Sequence, residues 1–225
     1  MKKIFNIPML LLLFSCNLFN SQITLNWSIT DTSFANVTIA NMTDEYYYLP
    51  LDIKHLRPYE ESCDSYGEFE DTYPFLAPMI LLKMHNSTEV LQYSRPHIDI
   101  EKRDSINKLL IPQRRYEKEN IVNWQKKMKI KTYEKAKINF YLINNILLLK
   151  PYEKINFQIP VDFHDLTNNQ FNPYGYFFKG EYQASLEICI QNNISEYLTT
   201  SQRKRLKKYL LYSFPIISNQ IYLKK

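Results

Sequence analysis

LLLKPYEKINFQIPV, residues 147–161, reads as strand, turn, strand. Pro151-Tyr152-Glu153-Lys154 is the turn, with Pro151 holding φ near about −65°. Working outward, the same kind of unit recurs along the chain. ITLNWSIT (23–30) alternates Ile23, Leu25, Trp27 and Ile29 with polar partners, the period of a half-buried strand. ANVTIAN (35–41) continues it, with Val37 and Ile39 on one face. The polar residues 42–45 then form a turn, and 46–49 return as a strand ended by Pro50, which predicts a hairpin. MILLKM (79–84) is a further strand. Gly180-Glu181-Tyr182 opens another, with Tyr182, Ala184, Leu186 and Ile188 on one face. Ile217, Asn219, Ile221 and Leu223 close the series. Ala136, Ile138, Phe140 and Leu142 also alternate, which predicts a long strand or a strand pair kinked at Asn144-Asn145.

Two stretches change period. Over 113–128, Ile121, Trp124 and Met128 stand three and four apart, so one helix face is apolar, with Pro112 at its start. Over 200–211, Thr199 with Gln202 makes a capping box, and Leu206, Tyr209 and Leu210 form an apolar face. Short strands separated by turns, with no βαβ rhythm, predict a mainly β fold. The expected architecture is an antiparallel immunoglobulin-like β-sandwich with one or two helical insertions, at about 113–128 and 200–211. It is expected to fill a single domain over 23–225.

The pattern xVTIxN with a polar turn, then LxxLKPxEKxxFxIP, then GEYxASLxI resembles bacterial immunoglobulin-like sandwiches. It is similar to the intracellular-proteinase-inhibitor-like domains and related accessory domains of exported proteins. The resemblance implies the sandwich fold and carries no functional residue over. The chain departs from it in the two helical insertions and in having only 3 glycines, too few for many tight backbone turns.

Residues 1–22 have another layout. Lys2 and Lys3 precede an apolar run over 4–14, about 11 residues or roughly 16 Å as a helix. That is shorter than a bilayer core of about 30 Å and matches a secretory signal. Two cleavage sites compete. Leu13-Phe14-Ser15-Cys16 resembles the bacterial lipobox, which would make Cys16 an acylated N-terminus and a membrane anchor. A cut near Asn20-Ser21-Gln22 would instead leave a periplasmic or secreted chain. Export permits a disulfide, and Cys63 and Cys189 are the candidates, closing a loop worth about 4–5 kcal/mol on chain-entropy grounds.

The halves differ in charge: residues 23–112 carry 14 acids and 7 bases, residues 113–225 carry 9 acids and 19 bases. The basic character concentrates in Arg203, Lys204, Arg205, Lys207 and Lys208, a candidate basic surface patch for phosphate-rich surfaces. A second lysine series, from Lys126 to Lys137, reads as the outer face of an edge strand. Tyrosines number 18, and the clusters around Tyr46 and Tyr48 and around Tyr174 and Tyr176 are a candidate aromatic binding patch. The acids Glu60, Glu61, Asp64, Glu68, Glu70 and Asp71 lack the spacing of a calcium loop and read as a solvated segment.

No hydrolytic or phosphate-binding motif is present. His55, His85, His97 and His164 stand singly, with Asp99 and Asp165 near two of them. Catalytic residues, metal ligands and cofactors are therefore none expected, and nucleic acid is not an expected partner of an exported chain. The expected role is a non-catalytic binding or accessory protein of the cell envelope, meeting a protein or glycan there and held to the membrane by lipid rather than by a transmembrane helix. The alternatives are a secreted inhibitor or chaperone-like sandwich protein, and a hydrolase whose site draws on distant His97, His164 and Asp165.

Overall fold

The structure is a computed structural model that describes residues 22–31, 34–61, 74–94, 100–166, 174–190 and 192–224. In chain order the strands are β1 (Ile23–Asp31), β2 (Phe34–Asn41), β3 (Tyr47–Pro50), β4 (Arg57–Pro58), β5 (Met79–Met84), β6 (Ile146–Leu149) and β7 (Lys154–Pro160). After them come β8 (Glu181–Ile188), β9 (Leu210–Leu211), β10 (Ile216–Ile217) and β11 (Ile221–Lys224). The helices are α1 (Ile100–Met128), α2 (Tyr133–Asn144) and α3 (Thr200–Arg205), with a 3-10 helix over Asn192–Tyr197. The fold is mainly β.

Among the described residues three sheets share one core. The first is antiparallel, in the order β1-β2-β7. Its alternation is visible in burial: Ile23, Leu25 and Trp27 of β1 and Ala35, Val37 and Ile39 of β2 point inward. The second is mixed, β10-β8-β5-β4 with β11 also on β8, and β4 is parallel to β5. Tyr182, Ala184, Leu186 and Ile188 of β8 are buried on one face, as their spacing predicts. The third is small, β6-β3-β9, with β9 parallel to β3. Residues of all three belong to one contiguous apolar cluster.

Polar side chains close the seams between sheets. β1 is an edge strand, and Asn219 completes it: the Trp27 N–H donates to Asn219 Oδ1 (2.8 Å), and Asn219 Nδ2 donates to the Trp27 carbonyl (3.1 Å). The indole Nε1–H adds a third bond, to the Asn219 carbonyl (3.1 Å). A side-chain amide thus imitates a neighbouring strand and ties the β10–β11 segment to the first sheet.

Asn41 does similar work at the end of β2. Fully buried, it donates to the carbonyls of Glu45 (2.7 Å) and Lys150 (2.8 Å) and accepts from Thr43 N (3.0 Å) and Oγ1 (2.9 Å). This explains the first departure from expectation. Residues 42–46 do not close a hairpin, because β3 pairs with β6 and β9 rather than with β2. Asn41 holds the turn so that the chain leaves one sheet for another. Likewise the Pro151 turn links β6 and β7, which lie in different sheets.

The helical boundaries also differ from expectation. Residues 136–142 form α2 rather than a strand, capped by Thr132, whose side chain accepts from Lys135 N. Ala136, Ile138, Asn139 and Leu142 are its buried residues. One of these four is an asparagine, so the apolar residues alone showed a period of two while the buried set follows the helix. α1 begins at Ile100 rather than 113, with Pro112 inside it. Leu109, Ile111 and Tyr116 are exposed, so these apolar residues do not mark an inward face ahead of the buried Ile121. α3 stops at Arg205, and residues 210–211 are β9 rather than its last turn.

Candidate functional site

Where α1 meets α2 the chain builds an open groove of about 400 Å³. Its first wall comes from the end of α1. Lys129 adopts φ +54°, and Ile130 N reaches back to the Gln125 carbonyl (3.1 Å), the bond of a helix ended by a left-handed residue. Thr132 then caps α2, so Met128, Lys129, Ile130 and Lys135 line one side. The other wall is the 3-10 helix and the start of α3: Glu196, Tyr197, Leu198, Thr199, Ser201 and Arg203 among others.

A buried amide network sets the distance between the walls. Asn139 Oδ1 accepts from the Trp124 indole (2.9 Å) and from Gln202 Nε2 (3.1 Å), and its Nδ2 donates to the Tyr197 carbonyl (2.6 Å) and to Gln202 Oε1 (2.7 Å). Gln202 in turn closes the capping box that the sequence predicts: its Oε1 accepts from Thr199 N (2.7 Å), and Thr199 Oγ1 accepts from Gln202 N (3.3 Å). One asparagine therefore fixes α1, α2, the 3-10 helix and α3 together.

Three exposed cations, Lys129, Lys135 and Arg203, face this groove with one carboxylate, Glu196, and the hydroxyls of Thr199, Thr200 and Ser201. The lining suits an anionic ligand that also carries groups for hydroxyl hydrogen bonds. Of the lysine series expected on an edge strand, Lys129 and Lys135 stand here at helix termini. The sequence signal was present as the lysines and the Thr199 cap. What it lacked was the pairing of segments some 65 residues apart through Asn139.

A second polar cluster lies at 52–60. Asp52 is buried and accepts from His55 Nδ1 (2.8 Å), Tyr141 Oη (2.6 Å) and Lys54 N (2.9 Å). Burial pushes its carboxyl up, but the hydrogen bonds from His55 and Tyr141 and the charge on His55 outweigh that, so it titrates below the ordinary 3.8. Burial and the neighbouring Asp52 push the Tyr141 phenol far above its usual range. The arrangement docks α2 onto the segment after β3. A depressed folded pKa contributes stability that is present above the unfolded value and lost as pH falls through the folded one. Asp52→Asn is therefore expected to cost about 2–3 kcal/mol at neutral pH and to flatten the acid limb of stability measured by urea unfolding. Superimposable curves for the two proteins at every pH would refute this role.

Arg57, also buried, donates from Nη1 to Glu60 Oε2 (2.9 Å) and from Nε to the Ala77 carbonyl (3.2 Å). Glu60, expected in a solvated acidic segment, is thus bound into the fold; Asp64, Glu68, Glu70 and Asp71 lie outside the described residues.

The other expected site residues fall as follows. Arg203, Lys204 and Arg205 are exposed on α3, and Lys207 and Lys208 are exposed just beyond it. Tyr48, Tyr174 and Tyr176 are buried and Tyr46 half-buried, so these tyrosines do not form an exposed patch. The reason is chemical: the Tyr176 hydroxyl donates to the Ile80 carbonyl (2.8 Å) and accepts from Tyr59 N (2.9 Å), which lets a phenol sit in the core. Cys189, just after β8, is disulfide-bonded. Cys16 and Cys63 lie outside the described residues, as do His97 and Asp99. His164 is exposed, its ring 5.0 Å from that of Phe177. Among the described residues no group of three or more metal-ligating side chains converges, and no helix is long and apolar enough to cross a membrane.

No protein-family model, curated protein or solved structure matches the chain.

Proposed function

We propose that this is a non-catalytic binding or accessory protein of the bacterial cell envelope, anchored through a lipidated Cys16, that takes an anionic partner in the groove between α2 and α3. The observation that carries the reading is the groove lining, in which Lys129, Lys135 and Arg203 outnumber Glu196 beside three hydroxyls. The anchor is supported by the basic n-region, the short apolar run and the lipobox-like Leu13-Phe14-Ser15-Cys16. The finer architecture we read as an immunoglobulin-like sandwich. Supporting this are the antiparallel β1-β2-β7 sheet, the β10-β8-β5 sheet that shares its core, and the Asn219 clasp between them.

The test uses polygalacturonate, a polyanionic glycan, and polyglutamate as probes for the mature protein. Replacing Lys129, Lys135 and Arg203 together by glutamine is expected to weaken binding of the preferred probe roughly 10- to 100-fold, from about 0.5–1 kcal/mol per exposed cation. Equal binding by parent and triple variant would remove the groove as the binding site.

A further inference from the structure

We propose that the end of the fold where residue 22 joins it lies flat against an anionic membrane surface, so that the protein is held in one orientation rather than swinging on its anchor. The proposal rests on the lipidated Cys16 just described. Five residues separate Cys16 from Gln22. Even fully extended, that tether spans at most about 20 Å. Whatever surrounds Gln22 is therefore kept close to the lipid headgroups.

Gln22 is firmly placed. Its carbonyl accepts from Met42 N (2.8 Å) and its Oε1 accepts from the Tyr47 hydroxyl (3.1 Å). The Tyr47 ring, whose hydroxyl meets Gln22, packs edge-on against Tyr212 at 5.5 Å. The turn after β2 also meets the turn before β7, where Tyr152 N donates to the Thr43 carbonyl (3.1 Å). Two turns and the Tyr212 segment thus converge on the point where the chain arrives.

The side chains exposed there are those of a membrane interface. Met42 is 57% exposed, and Tyr152 is 70% exposed although it holds φ +57°, a conformation that asparagine or glycine adopts more cheaply. Phe214, 63% exposed, packs edge-on against Tyr212 at 5.7 Å. Behind them the half-buried Tyr46 meets half-buried Tyr209 edge-on at 5.6 Å and carries the exposed Lys208 ammonium 3.6 Å from its ring centroid. Exposed apolar and aromatic tips beside cations are what an interface of headgroups and acyl chains accommodates.

The charges agree. Lys150 and Lys154 flank the Tyr152 turn, Lys208 sits over Tyr46, and the exposed Lys207 precedes it, continuing the basic run of α3. The acids at this end are Asp44, Glu45 and Glu153, and Glu153 is engaged by the Lys150 N–H (2.7 Å). Four cations, Lys150, Lys154, Lys207 and Lys208, thus stand against these three carboxylates, and the exposed Lys204 and Arg205 precede Lys207 in the chain. An anionic leaflet attracts such a cluster, by about fivefold in affinity per cation close to the surface.

The test takes the mature protein from its native host, bound to vesicles of phosphatidylcholine alone or with phosphatidylglycerol added. Amine labelling of individual lysines is read by mass spectrometry, with exposed Lys118 on α1 as internal reference. We expect labelling of Lys150, Lys207 and Lys208 to slow at least fivefold relative to Lys118 on the anionic vesicles only, and to recover in high salt. Lys207→Gln with Lys208→Gln is expected to restore the labelling of Lys150. Equal labelling on both vesicle types overturns the proposal. The intact mass of the same sample reports the acyl chains separately. An acylated protein without protection refutes the orientation and leaves the anchor standing. Protection of a protein without acyl chains refutes the anchor and leaves the membrane face standing.

Discussion

Asn139→Ala is expected to lower stability by about 3–5 kcal/mol and to abolish binding in the groove at temperatures where the sheets remain folded. The loss has three sources. The Trp124 indole N–H, the Tyr197 carbonyl and the Gln202 side-chain amide all lose a partner in a dry setting, since Asn139 is fully buried and Gln202 nearly so. Each orphaned polar group costs about 1–3 kcal/mol. Gln202 also closes the capping box of α3, so the defect spreads to the segment that carries Thr199, Ser201 and Arg203. Hydrogen exchange would locate the damage: faster exchange in α2, in the 3-10 helix and in α3, with β1, β2 and β8 protected as in the parent. Uniform loss of protection would mean that the network supports the whole fold rather than the groove. Unchanged exchange would mean that it supports neither.

Reduction of the Cys189 disulfide is expected to cost about 2–5 kcal/mol, read as a drop in melting temperature with a thiol reductant. Cys189 follows β8, the central strand of the second sheet, which pairs with β5, β10 and β11. A covalent link there restrains the unfolded chain at the residue range on which most of that sheet assembles. We propose Cys63 as the partner, because Cys16 is taken by the lipid in the reading above. A non-reduced peptide map should then contain the Cys63–Cys189 pair, and Cys63→Ser should melt like the reduced parent. A map joining Cys189 to Cys16 would exclude both this pairing and the lipid anchor.

The strands were legible because they are half-buried. In β1, β2 and β8 the core takes alternate apolar residues, and alternate burial is a pattern that local sequence carries. The Thr199 cap was legible for a similar reason, since both partners lie within four residues. α2 was not legible, because one of its inward positions is Asn139, whose value lies in partners far along the chain. Of α1 the stretch 113–128 was legible and the start was not, because the apolar Leu109 and Ile111 ahead of it are exposed and announce no inward face. The groove was hidden for both reasons. Its cations were visible as composition, but the element that aligns them is a polar residue in a position read as the outer face of a strand.

Strand faces, the turn at Pro151 and the cap of α3 depend on residues within a few positions of one another, so the amino-acid sequence by itself determined them. Which strand leaves for which sheet, whether Tyr176 meets solvent, and which lysines share a groove depend on contacts between distant segments. Asn41 with Lys150, Tyr176 with Ile80, and Asn139 with Tyr197 are three of them. Only the tertiary structure decided these, because a buried hydrogen bond is worth making only once packing has excluded water from both partners, and packing is a property of the assembled chain.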